Sequence, residues 1–191
     1  MSPRSPSIDQ LEHVHELNRL FLTVLQSSVR DKLDCFGLPS GARPALRSAS
    51  GVLLDSVAEF PRALFQIRLD DQGAADLRDP LKSRAESVRQ SMNLTILLCA
   101  WVFSRQSVYQ ARFLLGLESR AIQQLRTLQL TELQRLALAP QLVLCAFASR
   151  EWLWIQLLTE TRPEARRKLA LVALQPGLEQ EWPFRRSAQV S

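Results

Sequence analysis

A block of this chain returns on itself. Phe36-Gly37-Leu38 reappears as Leu115-Gly116-Leu117, 79 positions later, and the two stretches stay in step without a gap. Pairing residues 37–70 with 116–149 gives nine identities in 34 positions: Gly37/Gly116, Leu38/Leu117, Ser40/Ser119, Ala42/Ala121, Leu46/Leu125, Arg47/Arg126, Leu54/Leu133, Ala58/Ala137 and Pro61/Pro140. Leucine and alanine matches arise by chance in a chain rich in both. A glycine and a proline at fixed separation carry more weight, because each imposes its own backbone geometry. The pattern reads as an internal duplication, which sets the expected architecture before any other feature does. Units of about 75 residues bury too little surface to be sturdy alone, so two such halves are expected to share one core.

The segments then divide as follows. Residues 1–8 are Ser/Pro-rich and expected to be loose, 9–70 form the first unit, and 71–82 a Gly/Pro-bearing linker. Residues 83–160 form the second unit, and 161–191 a basic helix and tail. In the first unit, Leu11, Val14, Leu17, Phe21, Val24 and Leu25 recur at helical spacing from an Asp9 N-cap, with Glu12 completing a capping-box pattern. That helix is expected to run to about Phe36 and stop at Gly37. Ser40 or Ser48 then caps short helices, Pro61 ends them, and the alternation within 63–69 suggests a strand. In the second unit one long helix is expected from Ser83 to Leu115, closed by Gly116. Ser119 and Thr131 are the expected caps of two short helices. A second strand falls at 142–148, a helix capped by Ser149 follows, and Pro163–Leu174 makes the last helix. The predicted class is mainly α, with one short strand per unit.

Several chemistries find no support. The longest apolar run, Leu94 to Phe103 with Thr95 interrupting it, is too short to span a bilayer, and Met1 to Pro6 has no signal-peptide core. A cytoplasmic protein without membrane contact is the expectation. Cys35, Cys99 and Cys145 sit in apolar settings without ligand spacing and read as small buried hydrophobes. With His13 and His15 as the only histidines, expected as exposed helix residues, neither a metal site nor general-base catalysis has the groups it needs. No phosphate-binding glycine loop, GxSxG or HExxH occurs. No cofactor and no enzyme activity are expected.

The formal charge is +5 with a pI near 9.7, and lysine occurs only at Lys32, Lys82 and Lys168. Arginine suits bidentate phosphate contacts, though a GC-rich genome yields the same bias. Arg162, Arg166, Arg167 and Lys168 form the densest basic cluster and are the candidate phosphate contacts. Residues 117–139 have a helix–turn–helix rhythm, which adds Arg120 and Arg126 as candidates, with Arg135 also available. Leu125, Leu128, Leu130, Leu133 and Leu136 argue for ordinary packing there. Trp152 and Trp154 read as core, although with Trp182 they could also form an interface.

The second unit runs Met92-Asn93-Leu94, a helix to Leu115-Gly116-Leu117, then Leu125, Leu130-Thr131, Leu133, Leu136-Ala137, Gln141-Leu142-Val143 and Phe147. In that order and spacing it resembles the FlhD family of flagellar transcriptional regulators. The first unit repeats the order more weakly through Leu17-Asn18, Phe36-Gly37-Leu38, Leu54, Val57-Ala58 and Phe65 to Asp70. Its leading helix is four residues shorter, since Asn18 to Gly37 is 19 steps and Asn93 to Gly116 is 23. The resemblance implies a helical, intertwined dimer that activates transcription with a zinc-binding FlhC subunit; such pairs also control transfer genes on conjugative elements. Two copies in one chain imply an intramolecular pseudo-dimer with adjacent strand segments, and leave further homodimerisation open. The expected function is therefore a DNA-associated regulator of motility, secretion or transfer genes acting with an FlhC-like partner. A non-DNA-binding adaptor or chaperone of a secretion or motility system is the alternative, favoured if acidic residues interleave with the arginines.

Overall fold

Three- and four-residue apolar spacing sends Val14, Leu17, Phe21, Leu22, Leu25 and Val29 to one face of the first helix, and all are buried. This helix, α1, spans Ile8–Arg30 in the computed structural model, which describes residues 8–33, 36–69 and 84–174. It stops six residues before Phe36. Lys32 turns left-handed (φ 57°), Leu33 N–H reaches the Ser28 carbonyl at 2.9 Å, and Lys32 N–H reaches that of Val29 at 3.4 Å. That is a Schellman closure with lysine where glycine is usual, so no composition cue marks it. Asp9 lies inside the first turn rather than at the cap.

A 3-10 turn at Ser40–Ala42 leads into α2 (Arg43–Ser48), and α3 covers Gly51–Ala58. The cap of α3 is Ser50, whose Oγ accepts from Leu53 N–H at 3.2 Å, and not Ser48. Strand β1 follows at Phe65–Ile67. The expected helix from 83 to 115 is two: α4 (Arg84–Gln106) and α5 (Val108–Leu115). They are divided at Ser107, which adopts an extended backbone and caps α5 by accepting from Gln110 N–H. Gly116 closes α5 in the left-handed region (φ 68°), as its place in the sequence requires.

Helix α6 covers Ser119–Thr127 and α7 covers Leu130–Leu136. Ser119 is the first helical residue, with Glu118 at the N-cap. Gln129, not Thr131, caps α7 through a reciprocal box with Glu132, whose Oε2 accepts from Gln129 N–H at 2.6 Å. Strand β2 (Val143–Cys145) precedes α8 (Glu151–Thr159), which starts after Arg150 rather than after a Ser149 cap. Helix α9 is Pro163–Leu174 as expected. The first seven residues, the 71–82 linker, Cys35 and the tail beyond Leu174, with Trp182, lie outside the described residues.

The two strands pair antiparallel, Phe65 opposite Cys145, Gln66 opposite Leu144 and Ile67 opposite Val143. The ladder draws the halves together, and backbone bonds beside it continue the join. Cys145 N–H donates to Phe36 carbonyl at 2.7 Å and Ala63 N–H to Leu114 carbonyl at 2.8 Å. One hydrophobic cluster takes in Phe21, Phe36 and Phe65 from the first half with Leu97, Leu114, Leu142 and Trp154 from the second. Phe21 meets both Phe36 and Phe65 edge to face at 5.6 Å. Trp154 is fully buried and its Nε1–H donates to Ala146 carbonyl at 2.8 Å; Trp152 is half-buried at the margin.

Element bounds recur at the spacing of the sequence repeat. The 3-10 turn with α2 covers 40–48 and α6 covers 119–127, 79 positions on at both ends; α3 begins at Gly51 and α7 at Leu130, again 79 apart. Gly37 and Gly116 share the left-handed conformation, at φ 70° and 68°. Buried Asn18 donates from Nδ2 to Ala58, Phe60 and Arg62 carbonyls, while Asn93 donates to Ala137 and Ala139, the positions 79 beyond the first two. These asparagines bind irregular backbone that no helix or strand can satisfy.

Candidate nucleic-acid interface

Helix α9 buries Leu169, Ala170 and Ala173 against the rest of the protein, and this fixes which of its cations face water. Arg167 and Lys168 are exposed and have no ion pair or hydrogen bond among the described residues. Arg162, just before the helix, is exposed but engaged. Its Nε and Nη2 both meet the Glu160 carboxylate at 3.1 Å, and its backbone N–H adds a third bond at 2.9 Å. These bonds, the side-chain one foremost, hold the Glu160 carboxyl down at about 2 and push the Arg162 guanidinium up. Arg166 turns inward: Nη1 donates to Ser56 Oγ on α3, Nη2 to Thr161 carbonyl at 3.0 Å, and Nε is buried without a partner. It ties α9 to α3 and offers its guanidinium poorly to an external phosphate.

Arg120 and Arg126 are exposed on α6, whose Ile122 and Leu125 face the core. Arg135 is exposed on α7. A turn of Leu128 and Gln129 joins the two helices, and the Trp101 indole N–H donates to Leu128 carbonyl at 3.0 Å, with Arg105 lying over that ring at 4.1 Å. Leu125 and Leu133 are buried and Leu136 half-buried, whereas Leu130 is exposed. Helices α6 and α7 pack on α4, and α9 packs on α8. The six candidate cations thus fall in two groups on differently supported elements: Arg162, Arg166, Arg167 and Lys168 along α9, and Arg120 with Arg126 on α6.

Of the histidines, His13 is exposed and its Nδ1 lies 2.5 Å from Asp9 carbonyl. His15 is half-buried rather than exposed, and its Nε2 has no partner. Burial lowers its pKa, while Glu59 and Glu12 draw it back. Cys145 is buried and Cys99 half-buried, its thiol pKa raised by burial. Among the described residues, no three His, Cys, Asp or Glu side chains gather as a metal set, and no helix is long and apolar enough to cross a membrane. A cleft beside α6, lined by Arg62, Tyr109, Arg112 and Phe113, was not anticipated. The one signal for it in the sequence is the aromatic pair Tyr109 and Phe113, one helical turn apart.

Residues 82–176 match the model of the FlhD family, described as flagellar transcriptional activator (FlhD). No curated protein and no solved structure matches the chain. The matched region runs from the start of α4 to the end of α9 and leaves residues 8–69 outside it. On this match, the second half of the chain, residues 82–176, belongs to the FlhD family of flagellar transcriptional activators.

Proposed function

We propose that this protein is a DNA-associated transcriptional regulator in which two tandem FlhD-type units work as a covalent pseudo-dimer beside an FlhC-like partner. The family match carries the reading. The pseudo-dimer is supported by the shared 79-residue spacing of the short helices, the glycines and the carbonyls that the two asparagines bind, and by the ladder. Its register places the midpoint of equivalent positions, between 65 and 66 and between 144 and 145, inside the paired strands. Covalent linkage replaces an encounter between subunits with an intramolecular contact, at millimolar-scale effective concentration. Arg167 and Lys168 are the principal phosphate contacts, with Arg120 and Arg126 as a second group. Arg162 contributes when Glu160 is displaced, and Arg166 serves mainly to hold α9. Motility, secretion or conjugative-transfer genes are the targets, and the cytoplasm is the site of action.

A mobility-shift titration against the protein's own upstream region, with and without the product of the neighbouring gene, tests this. Retardation should weaken with salt, and Arg167→Gln with Lys168→Gln should lower the slope of log K against log salt by about 1.8. Absent binding in both arms, or binding insensitive to salt, overturns it. A non-DNA-binding adaptor is the second reading, favoured by one observation: Glu160 already neutralises Arg162 at the head of the basic helix. Retention of a protein partner without any DNA retardation would select it.

A further inference from the structure

A cleft of about 720 Å³, open at its mouth, lies where α5, the start of α6 and the end of α9 meet. Tyr109, Arg112 and Phe113 line it from α5, Leu174 from α9, and Arg62 from the turn after α3. Tyr109 and Phe113 stack, with centroids 6.1 Å apart and planes 9° from parallel, yet each is 46% exposed. The guanidinium of Arg62 lies over Gly116, in the space a Cβ would take. Arg62 is half-buried, and its pKa is lowered by desolvation. Among the described residues, neither the Arg62 nor the Arg112 guanidinium has a hydrogen bond or an ion pair.

An arginine partly withdrawn from water without a counter-charge is an unfavourable arrangement that an incoming anion relieves. The combination is absent at the matching positions of the repeat. Residues 79 before Tyr109 and Phe113 are Arg30 and Asp34, and the residue 79 beyond Arg62 is Gln141. Aromatic rings beside arginine are the side chains that dominate protein–protein contact energies. Among the described residues, Glu118, at the α6 end, is the single carboxylate lining the cleft. It opposes a row of phosphates more than it opposes one carboxylate placed away from it.

We propose that this cleft docks an acidic segment of a partner protein. An apolar side chain of that segment covers the Tyr109 and Phe113 rings, and a neighbouring carboxylate bridges Arg62 and Arg112. The surface does not depend on DNA binding by α9 or α6, so a chain that retards no DNA still takes the segment.

Tyr109 is the only tyrosine in the chain, so ring-labelled tyrosine gives one NMR probe placed in the cleft. The probes are acetylated hexapeptides with one tryptophan between glutamates, and the same peptides with glutamines. Glutamate peptides should move the Tyr109 signals saturably and glutamine peptides should not. Arg62→Gln should weaken the response about tenfold and Arg112→Gln, on the exposed rim where folding is not at stake, about threefold. Equal response to both peptide sets overturns the proposal, as does insensitivity to both substitutions. Displacement of the peptide by short DNA would make the cleft a nucleic-acid site instead. Movement of the signals with protein concentration alone would assign the cleft to a second copy of the chain.

Discussion

Asn18 and Asn93 stand in the same place of their respective halves, but only the first is fully used. Asn18 makes three bonds from Nδ2 and accepts Leu64 N–H at 2.8 Å on Oδ1; Asn93 makes two, and its buried Oδ1 has no partner. The glycines diverge similarly. Gly37 looks onto Leu144 Cδ2 at 3.6 Å, an ordinary contact, while Gly116 looks onto the Arg62 guanidinium. The halves keep their backbone punctuation and differ in what that punctuation supports. The first half spends it on internal closure. The second leaves an asparagine oxygen unmet and sets its glycine under the half-buried Arg62 of the first half, and it alone matches the activator family.

The largest test of this contrast is at the asparagines. Asn18→Ala strands four backbone groups, three of them buried, and should cost about 3 to 5 kcal/mol, whereas Asn93→Ala strands two while removing an unmet oxygen and should cost about 1 to 2. Urea unfolding with an unchanged slope measures both, and equal losses would mean that the halves are held alike. Next come the glycines. Each alanine substitution incurs about 1 to 2 kcal/mol of left-handed strain, but Gly116→Ala must also push Arg62 aside. It should therefore weaken the peptide response of Tyr109 by up to about tenfold, as Arg62→Gln does, while Gly37→Ala leaves it intact.

A smaller effect concerns Glu160, at the end of the second unit, for which the residue 79 positions earlier is Leu81. Its carboxyl falls from an ordinary value of 4.5 to about 2 on folding. The contribution of the pair is therefore full above pH 4.5 and lost as pH drops toward 2; an NMR titration of that carboxyl should show the low midpoint. Glu160→Gln should free Arg162 and steepen the salt dependence of DNA binding by about 0.9. Least of all, Val52→Thr installs the residue found 79 positions on, at a site 81% exposed, and should change stability by less than about 0.5 kcal/mol.

Periodicity reached the helices because burial repeats with the helical turn, and Pro61, Gly116 and Pro163 marked boundaries through rigid backbone rules. The helical class and the position of both strands were legible for that reason. What escaped depended on geometry without a compositional sign: the lysine closing α1, the serine splitting 84–115, and the glutamine capping α7. The basic cluster was visible as a run of letters, but a run cannot say that Arg166 points at Ser56 or that Glu160 clasps Arg162. The cleft was further out of reach, since Arg62 and Phe113 come together only after α3 and α5 have packed.

The pairing of Phe65–Ile67 with Val143–Cys145 also has a temporal side. The first strand is synthesised 76 residues before its mate begins, an interval of about 4 to 15 s at ordinary translation rates. Throughout it, an open strand edge and the hydrophobic faces of α1 and α3 await completion, and the corresponding strand of another nascent chain on the same message competes for them. Swapped dimers, joined through this ladder, are the characteristic misassembly that such a layout invites.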